Sequence, residues 1–407
     1  MPHKLWWLRT DLEYRNNHLF FAGRELSKLA HQLPTPAFVY SVERFKANIG
    51  RIHGALSEHD FKHNHQLYYA MKANRFAPLL TYLKSLNLCG IDACSPAEVE
   101  LAMSCGFSAE QISFTAGSLS KNDFSRLAKI DDLIFNCDSL HSIKTWGELK
   151  PGSSIGIRIN PALGTARASN EKLQYAGAQT TKFGIYREQF ATALELADSF
   201  GLKVIRIHCH TGCGYLNAEL KQWQKVLQAS LWFVDQCKDL QAVNIGGGLG
   251  VPHTADDEAL DLHLWANMLF QSLGHLNLKI ELEPGEYIAK DAGILLLEKT
   301  LQETKRDKTF VGVNAGFNIA PEPVYYDMPF EPVALEYNDN EQIVSVIGNI
   351  NEAMDVWYHD ISLPDLSQQD YLAIINCGAY SSSMASNHCL RGQFSEYLLF
   401  GDSSQLS

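Results

Sequence analysis

No apolar run in this 407-residue sequence is long enough to span a bilayer. The opening stretch, Met1 to Arg9, holds one brief greasy patch that runs straight into charges. A secretory leader would need a longer apolar core and a small-residue cleavage site, so none is expected. Cysteine is sparse: nine residues, scattered and odd in number, which excludes a disulfide scaffold and leaves at least one thiol unpaired. A cytoplasmic protein with reduced thiols, free of membrane association, is the expectation. Positive charge is also in deficit. The 34 Lys and Arg face 46 Asp and Glu, a formal net charge of −12, and no basic stripe offsets it, which argues against a nucleic-acid partner. An anionic ligand would therefore need local donors. Low-complexity segments are missing as well.

What is present is an alternation. The 46% hydrophobic content suits a globular chain with a large core, and the length suits two domains. Eight short apolar runs, mostly β-branched or aromatic, stop near Lys72, Asp92, Gly117, Cys137, Arg158, His210, Gly246 and Glu283. Each is followed by a stretch with helical spacing. This predicts an α/β fold, a (β/α)8 TIM-type barrel with its reactive groups at the C-terminal ends of the strands, where barrel enzymes build their sites. After Glu298 the runs continue with few helical stretches between them, which predicts an antiparallel β domain. The expected division is an N-terminal segment 1–34 packing with the β domain, a barrel over 35–300, and the β domain over 301–407.

Several rim residues carry chemistry. Lys72, in Tyr69-Ala70-Met71-Lys72-Ala73-Asn74, offers a primary amine that could join an aldehyde cofactor as a Schiff base, with desolvation or nearby positive charge favouring its neutral form. A surface lysine at a loop start is the plain alternative. Gly246-Gly247-Gly248 and Glu283-Pro284-Gly285 follow strands seven and eight, where barrels bind phosphate. Glycines let backbone N–H groups approach such a group, although three in a row also make a simple turn. Glu283 could face a pyridine nitrogen and keep it protonated, or sit in a structural ion pair. Strand alternation places His208 and His210 on one face and Cys209 on the other. A zinc site is weighed and disfavoured for want of a fourth ligand. A His210 ring lying flat against a planar cofactor fits better. Asp92 and Glu98 follow strand two, and Ser95 with Glu98 also matches a capping box. Arg158 points into the barrel mouth, where it needs acidic partners.

Together these motifs resemble the fold-type III pyridoxal 5'-phosphate-dependent decarboxylases, most of all those of the diaminopimelate type. The resemblance runs from Thr35-Pro36-Ala37-Phe38-Val39-Tyr40 to Gly378-Ala379-Tyr380. It implies an alanine racemase-like barrel, pyridoxal 5'-phosphate as cofactor, and decarboxylation of a small-molecule amino acid. Lys72 would carry the cofactor, His210 would stack on its ring and Glu283 would pair with the ring nitrogen. Gly246, Gly247, Gly248, Gly285 and Tyr380 would hold the phosphate, with Asp92 and Arg158 also at the cofactor. Lys72, His210, Glu352 and Tyr380 would be the catalytic set. The family also implies a homodimer whose sites are completed by a loop of the partner, here Gly348 to Asp355, which contains Asn351 and Glu352.

Three positions depart from the family pattern. Glu286 follows Glu-Pro-Gly where the family usually has arginine, as it does in carboxynorspermidine decarboxylases. Glu322 stands in Glu322-Pro323-Val324-Tyr325-Tyr326 where the family has a second arginine. Two carboxylates there would repel a distal carboxylate and attract an ammonium, so the expected substrate has a cationic far end, bound by Glu286, Glu322, Tyr326, Asn351 and Glu352. Asn351 replaces the family's acid cysteine, and an amide has no useful acid proton. Cys213 and Cys377 are the candidate replacements. Diaminopimelate decarboxylation proper, a racemase on the same fold, a non-catalytic cofactor carrier and a pseudoenzyme are the rival readings. Glu283 disfavours the racemase, and residues 301–407 disfavour the carrier.

Overall fold

The computed structural model describes residues 5–59, 61 and 64–401. Eight parallel strands close into a barrel: β1 His65–Ala70, β2 Gly90–Ala93, β3 Ile112–Thr115, β4 Ile134–Cys137, β5 Ser154–Asn160, β6 Lys203–His208, β7 Ala242–Asn244 and β8 Lys279–Leu282. Neighbours in sequence pair in order around the ring, and β8 pairs with β1 to close it. Each strand ends within two residues of a position where the sequence predicts it. Helices cover the outside, and local chemistry starts them. The Ser41 side chain accepts the Arg44 N–H, Ser95 accepts that of Glu98, and Asp261 accepts those of His263 and Leu264. The Ser95 cap begins its helix directly after β2, which keeps that rim loop short.

Many side chains pointing into the barrel are polar rather than branched and apolar. Arg206 Nη2 lies 2.9 Å from Glu281 Oε1 deep in the cylinder, and both are buried. A pair so far from water contributes little net stability intact, but truncating one partner strands a charge. Arg206→Met should therefore destabilise the fold by about 3 kcal/mol or more. Denaturant unfolding checks this, and the double variant with Glu281→Leu should recover much of the loss.

A second sheet follows the barrel. Its strands are β9 Gly293–Lys305, β10 Lys308–Val313, β11 Pro332–Ala334, β12 Glu341–Ile347, β13 Val356–Pro364, β14 Tyr371–Ile374 and β15 Ser395–Leu399. The pairing order β11-β14-β9-β10-β12-β13 is mostly antiparallel. Two pairings are parallel: β10 with β12, and β15 with Ala37–Ser41. The sheet is therefore mixed rather than purely antiparallel. A long excursion between β10 and β12 lets the chain return in the same direction, which a hairpin cannot do. The segment Ala37–Ser41, expected at the start of the barrel, is fully buried and hydrogen-bonded on both edges, to β9 and β15. Leu12, Leu19 and Phe21 pack with Ile294, Leu296, Val333 and Leu335, and the Leu19 N–H donates to Leu335 O at 2.8 Å. Among the described residues no helix is long and apolar enough to cross a membrane.

Candidate active site

One narrow pocket opens at the C-terminal rim, lined by Ala70, Lys72, His210, Cys213, Gly248, Glu283, Gly285, Glu286 and Tyr380. Tyr380 comes from the β domain, and its N–H donates to Ala73 O at 2.8 Å. Asn74 Nδ2 reaches Gly378 O at 3.1 Å. The second sheet thus supplies one wall.

Lys72 Nζ lies 3.5 Å from Asp92 Oδ2 and 3.7 Å from Cys94 Sγ. Burial works against its charge, yet Cys94 and Asp92 outweigh it and hold the ammonium's pKa well above the usual lysine value. In the chain alone the neutral amine is therefore not the favoured form. The two buried carboxylates of the site part company. Burial and the charge of Glu283 push Asp92 up to about 8. Burial would raise Glu283 too, but His208, Lys72 and Asn244 outweigh it and bring it down to about 2. His208 Nε2 lies 2.8 Å from Glu283 Oε2. Asn244 Nδ2 and Ser113 Oγ donate to Oε1 at 2.8 and 3.0 Å. Glu283 is drawn toward its charged form and Asp92 toward its acid form, the opposite shifts by which neighbouring acids divide roles.

His210 is neutral. Burial first, then Lys72 and Arg158, drive its pKa well below the usual histidine value. The Gly247 N–H points at Nδ1 at 3.3 Å, so Nδ1 accepts and the proton sits on Nε2, 3.4 Å from Cys213 Sγ. Tyr175 meets the ring edge-on at 4.7 Å. Arg158 finds its acidic partner in Asp138, at 3.1 Å, and lies over the Phe183 ring.

The donor set suits pyridoxal phosphate on this geometry. A primary amine, a fixed carboxylate and a neutral imidazole converge on one pocket. The backbone beside them leaves no room for side chains. A Cβ on Gly247 would stand 2.2 Å from Glu283 O, and one on Gly285 would stand 2.8 Å from the Tyr380 hydroxyl. Such bare backbone is what a phosphate cradle needs. Asp92 Oδ1 is buried without a hydrogen-bond partner, a polar atom facing the amine's surroundings with nothing yet to hold it.

Other expected site residues lie elsewhere. Glu322 is buried against Lys290 Nζ, at the junction of barrel and β domain. Burial brings that ammonium down to about 7. Glu286 does line the pocket, but Arg167 and His253 flank it, at 3.8 and 3.3 Å. The local charge reversal expected from two glutamates in place of arginines is thus partly offset by these partners. Each carboxylate meets a cation or imidazole of its own chain, because a buried carboxylate without one would not stay ionised. Tyr326 packs on the cluster of Ala166, Leu173 and Met328, which it shares with the pocket residue Cys213. Asn351 and Glu352 are exposed on their loop, where Glu352 meets His388 at 3.3 Å. Cys377 is buried, with its thiol on Ile375 O, and does not line the pocket. Among the described residues no group of His, Cys, Asp or Glu is arranged to hold a metal. Cys94, Tyr175, Arg167 and His253 were missed as site residues. Ser113 and Asn244 were missed too, though inward alternation along β3 and β7 pointed to them.

Fold and pocket together define a class: a (β/α)8-barrel lyase with an amine after its first strand and a buffered carboxylate after its last. Comparison with known proteins places the chain within it. The family model described as "Pyridoxal-dependent decarboxylase, pyridoxal binding domain" matches residues 46–290. The diaminopimelate decarboxylase of Methanothermobacter thermautotrophicus is 29% identical over 406 residues, covering 96% of this chain and 92% of that protein. That of Escherichia coli K12 is 26% identical, covering 100% and 96%. The structure of diaminopimelate decarboxylase from M. jannaschii in co-complex with L-lysine superposes with a TM-score of 0.87 at 25% identity, covering 97% of this chain and 93% of the other. The chain belongs to the pyridoxal-dependent decarboxylases. It is an amino-acid carboxy-lyase that uses pyridoxal 5'-phosphate.

Proposed function

We propose that the chain decarboxylates an α-amino acid whose far end carries an amino group, and that it does so as a cytoplasmic homodimer. Glu286 carries this reading. It shares the pocket with Lys72, and its contacts all fall on Oε1, with Val251 N and His253 Nε2 each at 3.3 Å. Oε2 has no hydrogen-bond partner among the described residues, which suits an incoming ammonium. Arg167 beside it favours a second reading, diaminopimelate itself, whose far end adds a carboxylate. Steady-state turnover of diaminopimelate, lysine, ornithine, arginine and carboxynorspermidine tests both. The first reading expects the highest kcat/KM with an amine-ended substrate lacking a distal carboxylate; a clear preference for diaminopimelate would replace it with the second.

Bound pyridoxal phosphate supplies an aldehyde for amines and an electron-accepting ring. Lys72 would hold it covalently, and Gly246, Gly247, Gly248, Gly285 and Tyr380 would receive its phosphate. Glu283, fixed by His208, Asn244 and Ser113, would keep a proton on the ring nitrogen. Neutral His210 would lie against the ring without adding a competing positive charge. Asp92 and Arg158 complete the surroundings. The Cys94 and Cys213 thiols, both pushed up to about 12 by burial, stay protonated and are candidate proton donors in place of Asn351.

The dimer rests on the loop Gly348 to Asp355. Asp355 is buried and accepts the N–H groups of Phe317 and Ile350, while Asn351, Glu352 and Met354 stay exposed at the loop's tip. A rigid base with an exposed tip suits insertion into a partner's site, where Glu352 would act. Asp355→Ala should cost about 1–3 kcal/mol by stranding those donors and should lower activity without loss of cofactor. Denaturant unfolding and the absorbance of bound cofactor check this. Nine free cysteines fit a reducing compartment.

A further inference from the structure

We infer that Arg167 is a specificity-determining positioning residue, which fixes one oxygen of Glu286 and so presents the other to the substrate's distal ammonium. This rests on the reading of Glu286 given above. Arg167 lies in the loop after β5. Its N–H donates to Cys213 O at 3.1 Å, in the loop after β6. Its Nη2 donates to Val251 O at 2.8 Å and pairs with Asp257 Oδ2 at 3.0 Å, both in the loop after β7. Its Nη1 lies 3.8 Å from Glu286 Oε1, after β8. One residue therefore ties together four neighbouring loops of the rim, its backbone reaching the loop after β6 and its guanidinium those after β7 and β8.

The electrostatics agree with that geometry. Burial would protonate Glu286, but His253 and Arg167 outweigh it and keep its pKa below the usual carboxylate value. A neutral acid at this position would bind an ammonium poorly. Nη1 is buried with no hydrogen-bond partner, so its contribution to Glu286 is a charge at fixed distance rather than a saturated bond. Asp257 is in turn fixed by the N–H groups of His253 and Thr254, at 2.7 and 2.9 Å. That leaves the guanidinium little freedom to follow Glu286 if the carboxylate turns. Opposite, Gly214 has φ +72, and a Cβ there would lie 3.5 Å from Glu286 Oε2 and 3.4 Å from Arg167 Cβ. The free oxygen thus sits beside backbone without a side chain.

The test is calorimetric binding of cadaverine and of pentylamine to the cofactor-loaded enzyme, because only cadaverine has a second ammonium. The unaltered enzyme should prefer cadaverine by about tenfold or more. Glu286→Gln and Arg167→Gln should each bring the ratio close to one, and Arg167→Lys should restore part of it. Borohydride should still trap cofactor on Lys72 in all three. If Arg167→Gln keeps the full preference, or weakens both amines equally, the inference is overturned while the role of Glu286 stands. Equal binding of both amines by the unaltered enzyme would remove the reading of Glu286 itself. Should Arg167→Gln not fold, Asp257→Asn frees the other side of the guanidinium and must lower the ratio; an unchanged ratio overturns the inference.

Discussion

Replacing Lys72 with alanine is expected to lower decarboxylation by roughly 10⁴-fold or more, since among the described residues no other primary amine lines the pocket. Borohydride reduction followed by peptide mass mapping should place cofactor on residue 72 in the unaltered enzyme and nowhere in the variant. The fold should survive, because Lys72 lies at the rim and its side chain is 39% exposed. Removing the ammonium also leaves Asp92 beside Glu283 without its counter-charge. Asp92 should then hold its proton still more tightly, and added ethylamine should restore part of the activity by entering the vacated space. Cofactor trapped on another lysine, or full turnover without Lys72, would end the assignment.

The second large effect is expected from Glu283→Gln. The amide keeps the shape but cannot hold a proton on a ring nitrogen by charge, and the fall in kcat should be on the order of 10²- to 10³-fold. A readout apart from rate follows from linkage. The pKa of Glu283 is about 2 in the folded chain, below its ordinary value. Its contribution to stability is therefore complete above about pH 5 and is lost as pH falls toward 2. Glu283→Gln should flatten that part of the pH–stability curve. An unchanged curve would mean that His208, Asn244 and Ser113 do not favour the charged form as their distances indicate.

The barrel was legible because its grammar is local. An apolar run, a polar rim residue and a capped helix repeat within short stretches, so Lys72, Asp92, His210, Gly246 and Glu283 all fall where the run-ends place them. The glycines 246–248 and 285 were legible as rim positions for the same reason. Pairings between distant segments were not. Nothing near Glu286 in the chain points to Arg167 or His253, and nothing near Glu322 points to Lys290. Only the fold brings those partners to the two glutamates. Ala37–Ser41 was legible as a strand but not as part of the second sheet, since a run buried on both faces carries no pattern that names its neighbours. His208 could have been found as an active-site residue, because it stands two positions before His210 on the inward face of β6.

The parallel pairing of Ala37–Ser41 with Ser395–Leu399 makes the chain discontinuous in space. The ribosome releases residues 37–41 early, yet their outer edge waits for almost the last strand to be made. Residues 293–305 claim the other edge first. During synthesis the growing protein must therefore carry an open, apolar strand edge for most of its length, a template for pairing with other chains. Overproduction without chaperones should send this enzyme into aggregates more readily than a barrel alone, and trimming either of these two strands should have the same result.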